Sequence, residues 1–122
     1  MANAQRLQRV GDQIQRELSE LIRLELKDPR VHMVTITGVD VSPDLAHAKV
    51  RVSTLDTTHR DETLAGLRRA AGFLRSQLGR RLTTYATPEL HFEYDASIEE
   101  GVRLARLIDQ AVGTAKADDE QH

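Results

Sequence analysis

The stretch from Thr58 to Leu82, THRDETLAGLRRAAGFLRSQLGRRL, constrains the fold of this chain more than any other. Leu64, Leu67, Ala71, Leu74, Leu78 and Leu82 recur at steps of three and four, which keeps one face of an α-helix apolar. Such a face has to be buried against something, so the stretch demands a partner layer. Thr58 with Asp61 resembles a capping box and predicts a helix start near His59. Ala70-Ala71-Gly72 interrupts the stripe with small residues. Glycine costs about 1 kcal/mol against alanine inside a helix, so the triplet predicts a kink between two helices that still share one core face.

The same stretch carries Arg68, Arg69, Arg75, Arg80 and Arg81. Residues 63–88 hold five arginines and no carboxylate, whereas the whole chain has a formal net charge of −2. Forked guanidiniums beside a helix start suit phosphate. The competing reading is a solvated arginine face on an ordinary amphipathic helix.

The 122 residues are enough for one domain with one core. Residues 4–112 are expected to form that domain. Residues 113–122, rich in Ala, Asp and Glu, are expected to be a disordered acidic tail. Ala4 to about Leu26 reads as a helix with Leu7, Val10, Ile14, Leu18, Leu21 and Ile22 on one face, with Gly11 a candidate close packing contact. Asp28-Pro29-Arg30 stops it. Val34–Val41 reads as a strand whose apolar phase shifts across Gly38, the mark of a bulge or of burial on both faces. Leu45 to Ser53 alternates, with Ala46, Ala48, Val50 and Val52 inward and His47, Lys49 and Arg51 outward. The short Ser42-Pro43-Asp44 link makes the two strands an antiparallel hairpin. Thr83 to Pro88 loops back. Leu90, Phe92 and Tyr94 form a third strand. Ser97 with Glu100 predicts the cap of a last helix with Ile98, Val102, Ala105, Ile108 and Val112 on its core face. The order is α-β-β-α-(kink)-α-β-α, an α+β layout with a three-stranded sheet and helices packed on one face. Lys49 and Arg51, on the outward side of the second strand, join the arginines as candidate phosphate contacts.

Several chemistries are excluded. The chain has no cysteine, hence no disulfide and no thiol nucleophile. Four aromatics are too few for a base-stacking platform across a sheet. No nucleotide-binding, zinc-protease or serine-hydrolase motif is present. The five histidines show no metal-ligand spacing, so neither a metal nor a cofactor is expected. No apolar run is long enough to span a bilayer and no signal-peptide core opens the chain, so the cytoplasm is the expected compartment.

The α-β-β-α-α-β core is the element order of a type II KH domain. Those RNA-binding domains carry a Gly-x-x-Gly loop between the paired helices, and none occurs here. At that point stands Ala70-Ala71-Gly72. This substitution resembles the hallmark of the ribosome-binding factor A family. LSELIRLELKDPR (18–30), VTITGVDVS (34–42), PDLAHAKVRVS (43–53), GFLRSQLGRRL (72–82) and TPELHFEYDASIEEG (87–101) are similar to that family in order and spacing. The resemblance implies a non-enzymatic, monomeric factor without cofactors. It would bind the free small ribosomal subunit (16S rRNA, with neighbouring ribosomal proteins) and not the full ribosome. It would assist late subunit maturation and rRNA processing near the 5′-terminal helix, with a role in growth in the cold. It also implies RNA contact through the basic helix surface of Arg68, Arg69, Arg75, Arg80 and Arg81 beside the Ala70-Ala71-Gly72 kink, with Lys49 and Arg51 as further RNA candidates from the strand pattern. Two alternatives stand beside it: a module that docks on ribosomal proteins or an assembly GTPase without touching RNA, and a small enzyme with a concave pocket.

Overall fold

A computed structural model describes residues 4–29, 31–82 and 86–120. Helix α1 (Ala4–Glu25) leads through a 3-10 turn (Val31–Met33) into strand β1 (Val34–Val41) and strand β2 (His47–Thr54). A second 3-10 turn (Thr57–His59) precedes helix α2 (Arg60–Arg81), and strand β3 (Glu89–Tyr94) and helix α3 (Ser97–Glu120) follow. The sheet order is β1-β2-β3, antiparallel between β1 and β2 and parallel between β2 and β3.

The core lies between one face of the sheet and helices α1 and α2. Ile36, Ala48, Val50, Val52, Leu90 and Phe92 come from the strands, and Val10, Ile14, Leu18, Leu67, Leu74 and Leu78 come from the helices. The alternation expected of β2 places Ala48, Val50 and Val52 inside, but Ala46 is exposed, because the strand starts only at His47. Leu45 just before it takes φ 61°, a left-handed turn position. The expected bulge is present: the β1–β2 register shifts between Ile36 and Gly38. Gly11 is a true close approach. A Cβ there would stand 2.6 Å from the Val39 carbonyl oxygen, so only glycine lets α1 lie this near β1.

Three expectations need correction. First, Arg60–Arg81 is one continuous helix with Ala70, Ala71 and Gly72 inside it, so the expected pair of helices is two halves of one element. Alanine is the best helix former, so only Gly72 resists. The leucines on both sides of the triplet bury into one core, which offsets that resistance. Gly72 itself faces open space, and a Cβ there meets nothing within 4 Å, so a larger residue would not be crowded there. Second, Thr58 does not cap α2. Asp56 does the local work, accepting from the Thr58 N–H at 3.1 Å and meeting His59 Nδ1 at 2.6 Å. Third, α3 does not join the core. Val102, Ala105, Ile108 and Val112, assigned to a core face, are all exposed. Its start is held by Asp95, whose Oδ1 accepts from the Ser97 N–H at 2.9 Å, rather than by a Ser97–Glu100 box. The backbone is helical past Val112, through Glu120. Arg30, the first part of the return loop (83–85), the side chains of His32, Ile98, Glu99 and residues 114–120, and the chain's first three and last two residues lie outside what the structure describes.

Candidate nucleic-acid interface

The arginines of α2 divide into three groups by what holds them. Arg68 donates from Nε and Nη2 to the Phe92 carbonyl oxygen at 3.3 and 3.1 Å. Arg75 does the same to the Thr87 carbonyl at 3.3 and 3.2 Å. Seven residues apart, they lie nearly in line on the side of α2 that faces β3. They occupy main-chain acceptors at and just before that edge strand. A guanidinium has five N–H donors, so each keeps donors beyond its carbonyl.

Arg81 belongs to a different contact. Its Nη1 donates to Glu17 Oε2 at 2.9 Å and stands 3.4 Å from Glu20 Oε1, joining the end of α2 to α1. Hydrogen bonding from Glu17, with Glu20 adding to it, raises its pKa further above the usual arginine value. Half-buried between two carboxylates, it is poorly placed to take a phosphate.

Arg69 and Arg80 form the third group. Both are exposed and, among the described residues, neither makes a hydrogen bond or ion pair. Between them sits Phe73, 45% exposed on the same helix. At about 100° per residue, positions 69, 73 and 80 fall within an arc of about 40°. The result is an aromatic ring flanked by two unpaired guanidiniums, on a surface without carboxylates from residue 63 to residue 88. Sequence reasoning weighed the arginines by charge and missed Phe73. Its signal was present: an aromatic off the leucine stripe but in line with Arg69 and Arg80.

Lys49 and Arg51 emerge on the open face of the sheet, away from α2, and both have acidic neighbours. Lys49 Nζ is 3.9 Å from Glu93 Oε2. Arg51 Nη2 is 3.4 Å from Asp40 Oδ2, and its guanidinium lies against Gly38 so closely that a Cβ there would collide with it. Its Nε is a buried donor without a partner. The fold therefore does not merge these two with the Arg69–Phe73–Arg80 row.

A shallow groove runs between α2 and β3, lined by Arg68, Ala71 and the Glu89–Glu93 stretch. Ala71 is half-buried at its wall. No helix is long and apolar enough to cross a membrane among the described residues.

The family model described as ribosome-binding factor A matches residues 6–108. The ribosome-binding factor A of Azoarcus sp. is 61% identical over 108 residues, covering 88% of this chain and 86% of the relative. That of Thioalkalivibrio sulfidiphilus is 59% identical over 113 residues, covering 92% and 88%. The crystal structure of ribosome-binding factor A from Thermus thermophilus superposes with a TM-score of 0.64 at 30% identity, covering 70% of this chain and 92% of that one. A homology model of the Thermus thermophilus factor, fitted into a cryo-EM map of a 30S complex, superposes with a TM-score of 0.58 at 30% identity, covering 70% and 91%.

Proposed function

The chain belongs to the ribosome-binding factor A family, and from that premise we propose that it binds the free small ribosomal subunit, not the full ribosome. There it assists late maturation and 16S rRNA processing near the rRNA 5′-terminal helix. The observation that carries this reading is its likeness to the relative fitted into the 30S complex map. The contact surface is the solvent side of α2. Arg69 and Arg80 reach phosphates, Phe73 stacks on an unpaired base between them, and Arg68 and Arg75 stiffen the edge of the surface by holding carbonyls of β3 and of the segment just before it.

Sedimentation with purified small subunits and with full ribosomes tests the partner. Co-migration with free subunits alone supports the reading; equal occupancy of both particles overturns it. Titration with naked rRNA fragments at several salt concentrations tests the surface. Removing one phosphate-binding arginine should lower the slope of log affinity against log salt by about one unit or slightly less. The Arg69→Ala, Arg80→Ala variant should therefore bind more weakly and less salt-dependently.

A second reading, docking on protein neighbours, draws on α3. Its half-exposed Val102, Leu104, Leu107 and Ile108 make a surface better suited to a protein than to RNA. Binding that ignores salt and is lost on substituting α3 would favour it.

A further inference from the structure

The open face of the sheet carries a group of side chains that the proposed RNA surface does not use. β2 and β3 run parallel with His47 opposite Glu89 and Lys49 opposite His91. Alternation then sends His47, Glu89 and His91 out on the same side, away from the core. His47 Nδ1 is 3.0 Å from His91 Nε2 and 3.8 Å from Glu89 Oε2. One ligand atom from each of the three lies within 4.8 Å of the others. The rings are tilted by 40° with centroids 5.1 Å apart, so they converge at their nitrogens instead of stacking flat.

We propose that His47, His91 and Glu89 form a surface site for a divalent metal ion of the zinc class. Two ligand atoms held about 2.0–2.1 Å from such an ion stand about 3 to 4 Å apart, a range that includes both separations from His47 Nδ1, and rotation of these exposed side chains can bring the third pair, within 4.8 Å, to the same ion. Two imidazoles and one carboxylate are a borderline donor set. It suits zinc, nickel or copper and is poor for magnesium, which prefers oxygen ligands. The neighbouring charges permit a cation. Lys49, the nearest basic side chain in the register, is turned to Glu93, and Arg51 is turned to Asp40. Both carboxylates lie on the same face, and Asp40, His47, His91 and Glu93 line one hollow there. All three ligands are exposed, so the ion keeps open positions for water or another oxygen ligand. Once bound, it ties β2 to β3. Without an ion, one imidazole donates an N–H to the other's lone pair; metal binding replaces that single hydrogen bond and needs both nitrogens unprotonated.

The test is calorimetric titration of the untagged chain with zinc chloride, with magnesium chloride as the comparison. The expected result is one zinc per chain and no magnesium. Removing a ligand should cost at least the tenfold typical of losing even an outer-shell partner, so His47→Ala and His91→Ala should each weaken zinc by about tenfold or more. Glu89→Gln should weaken it less. His59→Ala, on a histidine engaged with Asp56, should leave it unchanged. Because the ligands are exposed, these variants should keep the parent's circular dichroism. Zinc should raise the melting temperature of the parent and leave that of the His47→Ala, His91→Ala double variant where it was. In NMR spectra the ring signals of His47 and His91 should shift with zinc while those of His59 stay. Absence of zinc binding overturns the proposal, and so does full binding in the double variant.

Discussion

Helices α2 and α3 are alike in sequence and unlike in place. Each is over twenty residues long and each repeats apolar residues at helical spacing. Yet Leu67 and Leu74 of α2 are 0% exposed, whereas Ile108 of α3 is 53% exposed. The difference is what the neighbouring strand offers. α2 connects two parallel neighbours in the sheet, so it must cross back over the sheet face, and its leucines bury into the same core as Val50 and Phe92. α3 follows β3, and α1 and α2 already occupy the buried face of the sheet. Periodicity announces a face that wants burial; it does not say whether any surface is left to cover it.

The largest test of this contrast is truncation of each face. Leu67→Ala or Leu74→Ala should cost about 2–5 kcal/mol in urea unfolding, the usual range for a buried leucine. Ile108→Ala should change stability by less than about 0.5 kcal/mol. A large loss at Ile108 would mean that α3 is packed in solution.

Glycines give a smaller effect of opposite signs. Gly72→Ala adds a methyl into open space in mid-helix and should raise stability by up to about 1 kcal/mol. Gly11→Ala drives a methyl into the Val39 carbonyl and should destabilise, which the same urea titrations would show.

The root of α3 supplies a pH test. Hydrogen bonds, first from Ser97 and then from Thr37, hold Asp95 down from an ordinary 3.8 to about 2. A carboxylate with a depressed folded pKa adds stability above its unfolded value and loses it as the pH falls through the folded one. Thermal stability should therefore decline between about pH 4 and pH 2, and Asp95→Asn should flatten that decline. An unchanged acid limb in the variant would remove Asp95 from the contact with β1.

The smallest effect on the fold is expected at the arginines that separate structure from recognition. Arg69→Ala with Arg80→Ala should leave the melting temperature where it is and lower affinity for small subunits. Arg81→Ala should do the reverse, loosening α2 from α1 with little change in binding. If both variants behave alike, the division by partner is wrong.

Much of this arrangement was readable in the residues. Val34–Val41 with its bulge at Gly38, the inward Val50 and Val52, and the leucines of α2 follow from local period and turn chemistry. What escaped depends on distant pairing. His47 and His91 are far apart in the chain and meet only because β2 and β3 align in parallel register. The carbonyl partners of Arg68 and Arg75 and the carboxylates around Arg81 come from other elements, so charge alone could not sort the five. The small triplet does not divide α2 because glycine's helix penalty is small beside the burial of five flanking leucines.

The parallel pairing of β2 with β3 also sets the order in which the chain becomes itself. The β1–β2 hairpin closes over a few residues and needs nothing downstream. β3 finds its place only when residue 89 meets residue 47, after all of α2 has been made. Loop-closure entropy has to be met before that contact forms, and such non-local contacts slow folding. During synthesis the hairpin therefore waits with its β2 edge open until Tyr94 has emerged. The arginine pair that later clasps carbonyls in and just before β3 arrives on α2 ahead of the strand it will hold.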